Sequence, residues 1–175
     1  MALSPGDEAP DFDLSSTESA LLALRDEAPR VAVLLYVFRG EADERIRADL
    51  ALLARARPEL ARLGARPLVL SPLPLAALAV LQAELRLDFP LLHDDRDFAA
   101  AYGVAAAGLG EPPAAPALFL VGHDRRLLWL VNPASHVEEA LGEVRGRLAT
   151  LAPASRSYPR AVINRLVGRR VGRSR

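Results

Sequence analysis

The 175-residue chain contains no cysteine and no lysine, and its single methionine is Met1. Without cysteine, disulfides, thiolate catalysis, iron–sulfur ligation and zinc–thiolate sites are all excluded. Without lysine there is no side-chain Schiff base. Aromatic residues are scarce, at 5% of the chain. No apolar run approaches the ~18–20 residues that span a bilayer. No basic stretch followed by an apolar one opens the chain, so a cytoplasmic location is expected. P-loop, dinucleotide-fingerprint and Ser–His–Asp patterns are also missing.

What is present is narrow: Ala, Leu and Arg supply 86 of the 175 residues, so a single one of them carries little information. The length fits one main domain, large enough to bury its core without a disulfide or metal staple. The formal net charge is zero, but it is unevenly spread. Residues 153–175 hold seven Arg and no acid, whereas residues 1–152 hold 15 Arg against 22 acids. The expected organisation is therefore an acidic body, 1–152, with an Arg-rich C-terminal extension, 153–175.

Within the body, residues 1–14 read as an extended opening segment, with Phe12 and Leu14 alternating. Val31 to Phe38 is an uninterrupted apolar run, too short for a helix, and predicts a buried central strand. From Asp43 the period becomes helical through Ile46, Leu50, Leu53, Leu60 and Leu63. Pro58 is expected to kink or split that helix, and Gly64 to end it. Pro67 to Ser71 predicts a strand, Leu73 to Leu87 a helix, Phe89 to Leu92 a short strand, and Asp97–Tyr102 a helix. Ala105 to Pro116, with two Gly and two Pro inside it, reads as a loop. Ala117 to Val121 and Leu127 to Val131 flank a turn and predict a β-hairpin. Ser135 to Leu151 carries Val137, Leu141, Val144 and Leu148 on one helical face. Alternating helices and buried strands, then a hairpin and a helix, predict an α/β sandwich around a mixed sheet.

Specific residues narrow this further. The segment Gly6-Asp7-Glu8-Ala9-Pro10-Asp11-Phe12-Asp13-Leu14 resembles the GD-x-AP-D-F-x-L opening of peroxiredoxins, the alkyl hydroperoxide reductase/thiol-specific antioxidant family. Val69-Leu70-Ser71 looks like the family's strand ending in serine. Phe89-Pro90-Leu91-Leu92-His93-Asp94 and Ala101-Tyr102-Gly103-Val104 are similar to its FPLLSD and AYGV segments. Pro116 to Val121 and Ser135 to Leu141 resemble its later strand and last helix. The resemblance runs in order from residue 6 to about 150 and implies a thioredoxin-like three-layer sandwich, a mixed central sheet flanked by helices.

The active-site motif of one peroxiredoxin-like subgroup reads F-R-G-x-x-C-P-x-C-R-x-x-L. This chain has Phe38-Arg39-Gly40 at its start and Arg47 and Leu50 at its end, but Asp43 and Ile46 stand where the two cysteines belong. Against the broader P-x-x-x-T-x-x-C pattern, the three positions fall at Arg39, Asp43 and Ile46. The family's peroxide-orienting arginine aligns with Pro116. In the family a thiolate attacks the peroxide O–O bond and becomes a sulfenic acid. Ile46 has no lone pair and Asp43 is a hard, weak nucleophile toward peroxide oxygen. The resemblance therefore implies the fold and argues against the family's activity, with no catalytic residue and no cofactor expected.

Other polar residues have simpler readings. Glu41, Asp43 and Glu44 suit the positive end of a helix, so capping is the first reading and a polar binding site with Arg39 the second. Pro116 reads as a cis-proline beside the old active site, or simply as a strand-start proline. His93 with Asp94, Asp95 and Asp97 reads as a solvated helix cap rather than a metal site. His136 and Glu139 lie at helical spacing without further ligands, and His123 falls in the hairpin turn.

In the extension, Val162, Ile163, Leu166, Val167 and Val171 line one face of a basic amphipathic helix. Arg160, Arg165, Arg169, Arg170 and Arg173 make that segment basic. Its apolar face is expected to pack on the body or on a second subunit; anionic membrane, nucleic acid or another protein are the other partners considered. The sequence thus points to a cysteine-free peroxiredoxin-like homodimer acting as a binding or scaffolding module for an unknown protein partner. The alternatives are an oxidoreductase with a rebuilt non-thiol site over Arg39–Ile46, and a tether acting through the extension.

Overall fold

The computed structural model describes residues 2–18, 21–105 and 115–151. The Arg-rich extension, and most of the loop expected between Ala105 and Pro116, lie outside these residues. Among the described residues, seven strands and five helices follow in the order β1(Asp13–Ser15), β2(Leu21–Ala23), α1(Leu24–Glu27), β3(Ala32–Val37), α2(Glu44–Arg62), β4(Ala65–Ser71), α3(Leu75–Leu85), β5(Leu91–His93), α4(Phe98–Ala101), β6(Ala117–Val121), β7(Leu127–Val131) and α5(Val137–Leu151).

The main sheet has the order β5-β4-β3-β6-β7. Strands β3, β4 and β5 run parallel, and β6 and β7 add antiparallel on the other side. This is the mixed α/β sandwich that the alternation of elements predicts. Strand β3 sits in the centre, and every residue from Ala32 to Phe38 is buried. Its side chains divide by alternation. Leu34, Tyr36 and Phe38 join α2, α3 and α5 on one face, while Val33, Leu35 and Val37 face Phe12, Leu14, Leu24 and Ala99 on the other.

Two features differ from or add to these expectations. Helix α2 runs unbroken from Glu44 to Arg62 with Pro58 inside it. Pro58 lies on the exposed side, where water can take the carbonyl that loses its helical donor. Leu53, Ala56 and Leu60 hold the turns on either side of it against the core. The opening segment is also more than extended chain. Strand β1 pairs antiparallel with β2, a strand that periodicity did not predict in three residues, and the one-turn α1 follows.

Candidate functional site

The segment aligned with the family's motif leaves the sheet where β3 ends. Gly40 has φ +94°, a left-handed conformation that suits glycine, and it turns the chain toward α2. Asp43 is the N-cap of that helix, and its carboxylate accepts a hydrogen bond from the Ile46 backbone N–H at 2.9 Å. Glu41 and Glu44 are exposed beside it. Ile46 is 5% exposed and packs into the core under α2. The capping reading of Asp43 therefore describes what its side chain does. Asp43→Ala is expected to cost about 0.5–2 kcal/mol. Asp43→Asn should keep most of the stability, a comparison that urea denaturation makes directly.

Arg39 is not brought to this group. Alternation along the strand sends it to the sheet face opposite Tyr36 and Phe38. There its guanidinium donates to the Val104 carbonyl at 3.0 Å and pairs with Asp97. Arg39 thus already holds an anion, the carboxylate of a residue whose own backbone is left-handed at φ +60°.

Pro116 is buried directly before β6, as a strand-start proline. The cis peptide among the described residues is Asn132–Pro133, which corrects the assignment to Pro116. The two prolines lie close in space, because the Ala134 N–H donates to the Pro116 carbonyl at 2.6 Å. Ala134 in turn accepts from the Arg45 guanidinium at 2.7 Å, so the α2 N-terminus is tied to the segment leading into α5.

Beneath the loop lies a polar pair that sequence reasoning missed. The Tyr36 hydroxyl donates to Asp49 Oδ2 at 2.8 Å; Tyr36 is fully buried and Asp49 is 8% exposed. Burial pushes the Asp49 carboxyl above its ordinary value, against the pull of the Tyr36 hydrogen bond and the nearby Arg45 charge. The Tyr36 phenol is raised as well, by burial first and by Asp49 second. A signal was available. Ile46, Asp49, Leu50 and Leu53 fall at helical spacing on the buried stripe, and an acid in that stripe needs a partner. Position 46, where a thiolate would stand, is thus apolar, and the acid one turn later is satisfied by a phenol.

Several other histidine and carboxylate side chains serve the backbone or surface ion pairs. Asp94, 5% exposed, accepts from the Phe98 and Ala99 N–H groups at 2.9 Å each, a buried cap rather than the solvated one expected. His93 Nδ1 lies 2.8 Å from the Leu73 carbonyl, and Asp95 pairs with Arg96. Among the described residues, no three His, Asp or Glu side chains are grouped so as to hold a metal ion. His123 Nδ1 lies 3.3 Å from the Pro29 carbonyl.

Fold and loop together define a thioredoxin-like α/β protein whose motif loop carries an aspartate cap and a buried isoleucine. The sequence matches the AhpC/TSA family over residues 5–130, and the chain belongs to that family. It is a member with neither of the family's reactive cysteines.

The peroxidoxin BcpB of Mycobacterium tuberculosis superposes with a TM-score of 0.75 at 21% identity, covering 84% of this chain and 97% of its own. A cysteine-to-serine mutant of PrxQ from Xylella fastidiosa gives 0.72 at 18%, covering 83% and 98%. AhpC of Mycobacterium tuberculosis gives 0.71 at 19%, covering 90% and 98%. At these identities the likeness is one of fold. No functionally curated protein matches the sequence.

Proposed function

We propose that this chain is a member of the AhpC/TSA family without thiol peroxidase chemistry, serving as a cytoplasmic, self-associating binding module. The observation that carries the reading is the state of the motif loop. Ile46 is packed in the core, Asp43 caps α2, and Arg39 is held by Asp97 and Val104. A peroxidase needs a soft nucleophile in line with the O–O bond and donors aimed at its oxygens. Position 46 offers a hydrocarbon instead, and Arg39 at the start of the loop's frame is engaged on the far face of the sheet. Those same contacts weigh against a rebuilt site over Arg39–Ile46, since Asp43 is engaged as a helix cap and Arg39 with Asp97 and Val104.

Binding on this reading falls to surfaces: the exposed Glu41 and Glu44 above the old site, and the Arg-rich segment 153–175. The test is consumption of hydrogen peroxide and an organic peroxide by purified protein, with dithiothreitol or a thioredoxin system as reductant. Turnover is expected to equal the protein-free blank. Turnover that survives metal chelation would overturn the reading and return the chemistry to the loop.

A further inference from the structure

Helices α2 and α5 pack on the same face of the sheet, and a groove of about 210 Å³ opens between them. Leu52, Arg55 and Ala56 line it from α2, and Glu138, Leu141 and Arg145 from α5. The spacing accounts for this, since residues three, four and seven apart share one helical face. Ala56 and Leu141 are buried and Leu52 is half-buried, so the floor is aliphatic. The groove begins about two turns beyond Ile46 along α2 and includes no residue of the motif loop.

Its walls carry unmet polar groups. Among the described residues, Arg145 Nε is the one buried side-chain polar atom without a hydrogen bond. Glu59 Oε2 lies 2.8 Å away and offsets the charge, but it stands off the line of the N–H. Buried donors are ordinarily satisfied, so an acceptor is missing here. Arg55 and Glu138 are exposed on opposite walls, and neither is paired with another charge among the described residues. The groove therefore presents one unpaired charge of each sign over an aliphatic floor.

We propose that this groove binds a small aliphatic α-amino acid as its zwitterion. The carboxylate lies toward Arg55 and the Arg145 N–H, the ammonium toward Glu138, and the side chain on Leu52, Ala56 and Leu141. Charge selects this class of ligand. A simple anion would meet Glu138 and the field of a body holding 22 acids against 15 Arg. A simple cation would meet Arg55 and Arg145, and a peptide terminus supplies only one of the two charges. The volume is below the roughly 300–1,000 Å³ of drug-sized pockets, so the ligand is small. With so few atoms to bury, binding in the millimolar range is expected. The inference goes beyond the functional reading above and does not depend on it.

Amide shifts of the full chain, followed by NMR during a leucine titration, read the site. Resonances from Leu52 to Glu59 and from Glu138 to Arg145 should move together and saturate. Arg55→Gln and Glu138→Gln, both at exposed positions, should each weaken leucine binding about three- to fivefold, the upper end for an exposed ion pair. Isocaproate, which is leucine without its ammonium, should bind the natural chain less well and should gain from Glu138→Gln. No saturable shift, or shifts away from the two helix faces, would overturn the proposal. Leucine binding that neither variant alters would overturn it too. Equal binding of leucine and isocaproate would leave a plain carboxylate site and sink the zwitterion assignment. The peroxide assay tests the functional reading separately, so either can fail without the other.

Discussion

Phe119→Ala is expected to remove about 3–5 kcal/mol of stability, the range for emptying a buried aromatic site. Against the ~5–15 kcal/mol that holds a typical domain folded, this is a large fraction. Phe119 lies in β6 with no exposed surface, in the cluster that includes Phe12, Leu35 and Val37. Its ring meets Tyr102 edge-on, with centroids 4.9 Å apart. Tyr102 in turn donates its hydroxyl to the Pro10 carbonyl at 2.7 Å and so holds the opening segment. Truncation therefore empties the core and loosens the anchor of the N-terminal hairpin together. Urea denaturation reads the first effect, and faster amide exchange around Phe12 to Ser16 reads the second. A loss below about 1 kcal/mol would mean that this face of the sheet collapses around the gap far better than packed cores do. Phe119→Leu, which keeps most of the volume, should retain most of the stability.

The central sheet was legible because its strands announce themselves. Val31 to Phe38 and the pair Ala117 to Val121 and Leu127 to Val131 match observed strands within a residue or two, the hairpin at both ends. Long apolar stripes identified α2 and α5 for the same reason. Strand β2 was not legible, since Leu21 is 69% exposed and three residues give no period to read. At the motif loop, the spacing placed Asp43 at the helix start but could not show that Arg39 points to the other side of the sheet. That follows from strand alternation through Tyr36 and Phe38, a local rule applicable once the strand's end is fixed. The cis peptide was misassigned because any proline near the old active site fits the pattern, and Pro133 lies beside Pro116 only in space. The Tyr36–Asp49 pair needed both the strand and the helix stripe to be read together.

That pair gives the second large effect, through pH. Burial raises the Asp49 carboxyl above its value in an unfolded chain, so the folded protein binds that proton more tightly. Between the unfolded and folded values the native state carries more protons, and the linkage relation then makes stability fall as pH rises. The contribution is fully present below the unfolded value and is lost once pH passes the folded one. Tyr36→Phe removes a donor that lowers the Asp49 pKa, so it should raise the carboxyl further and steepen this fall. It should also cost about 1–3 kcal/mol near neutral pH, the penalty for a buried acceptor left without its partner.

Asp49→Asn keeps an oxygen for the Tyr36 hydroxyl and cannot titrate. The stability of the natural chain relative to Asp49→Asn should therefore decline as pH rises through the ordinary carboxylate range and on past it, until the raised carboxyl has lost its proton. Urea midpoints of the three proteins across that range decide the sign. A difference that rises with pH would show the charge of Arg45 outweighing burial. Asp49 would then be an anion stabilised under the motif loop, and a carboxylate there would have a partner for binding that a neutral acid lacks.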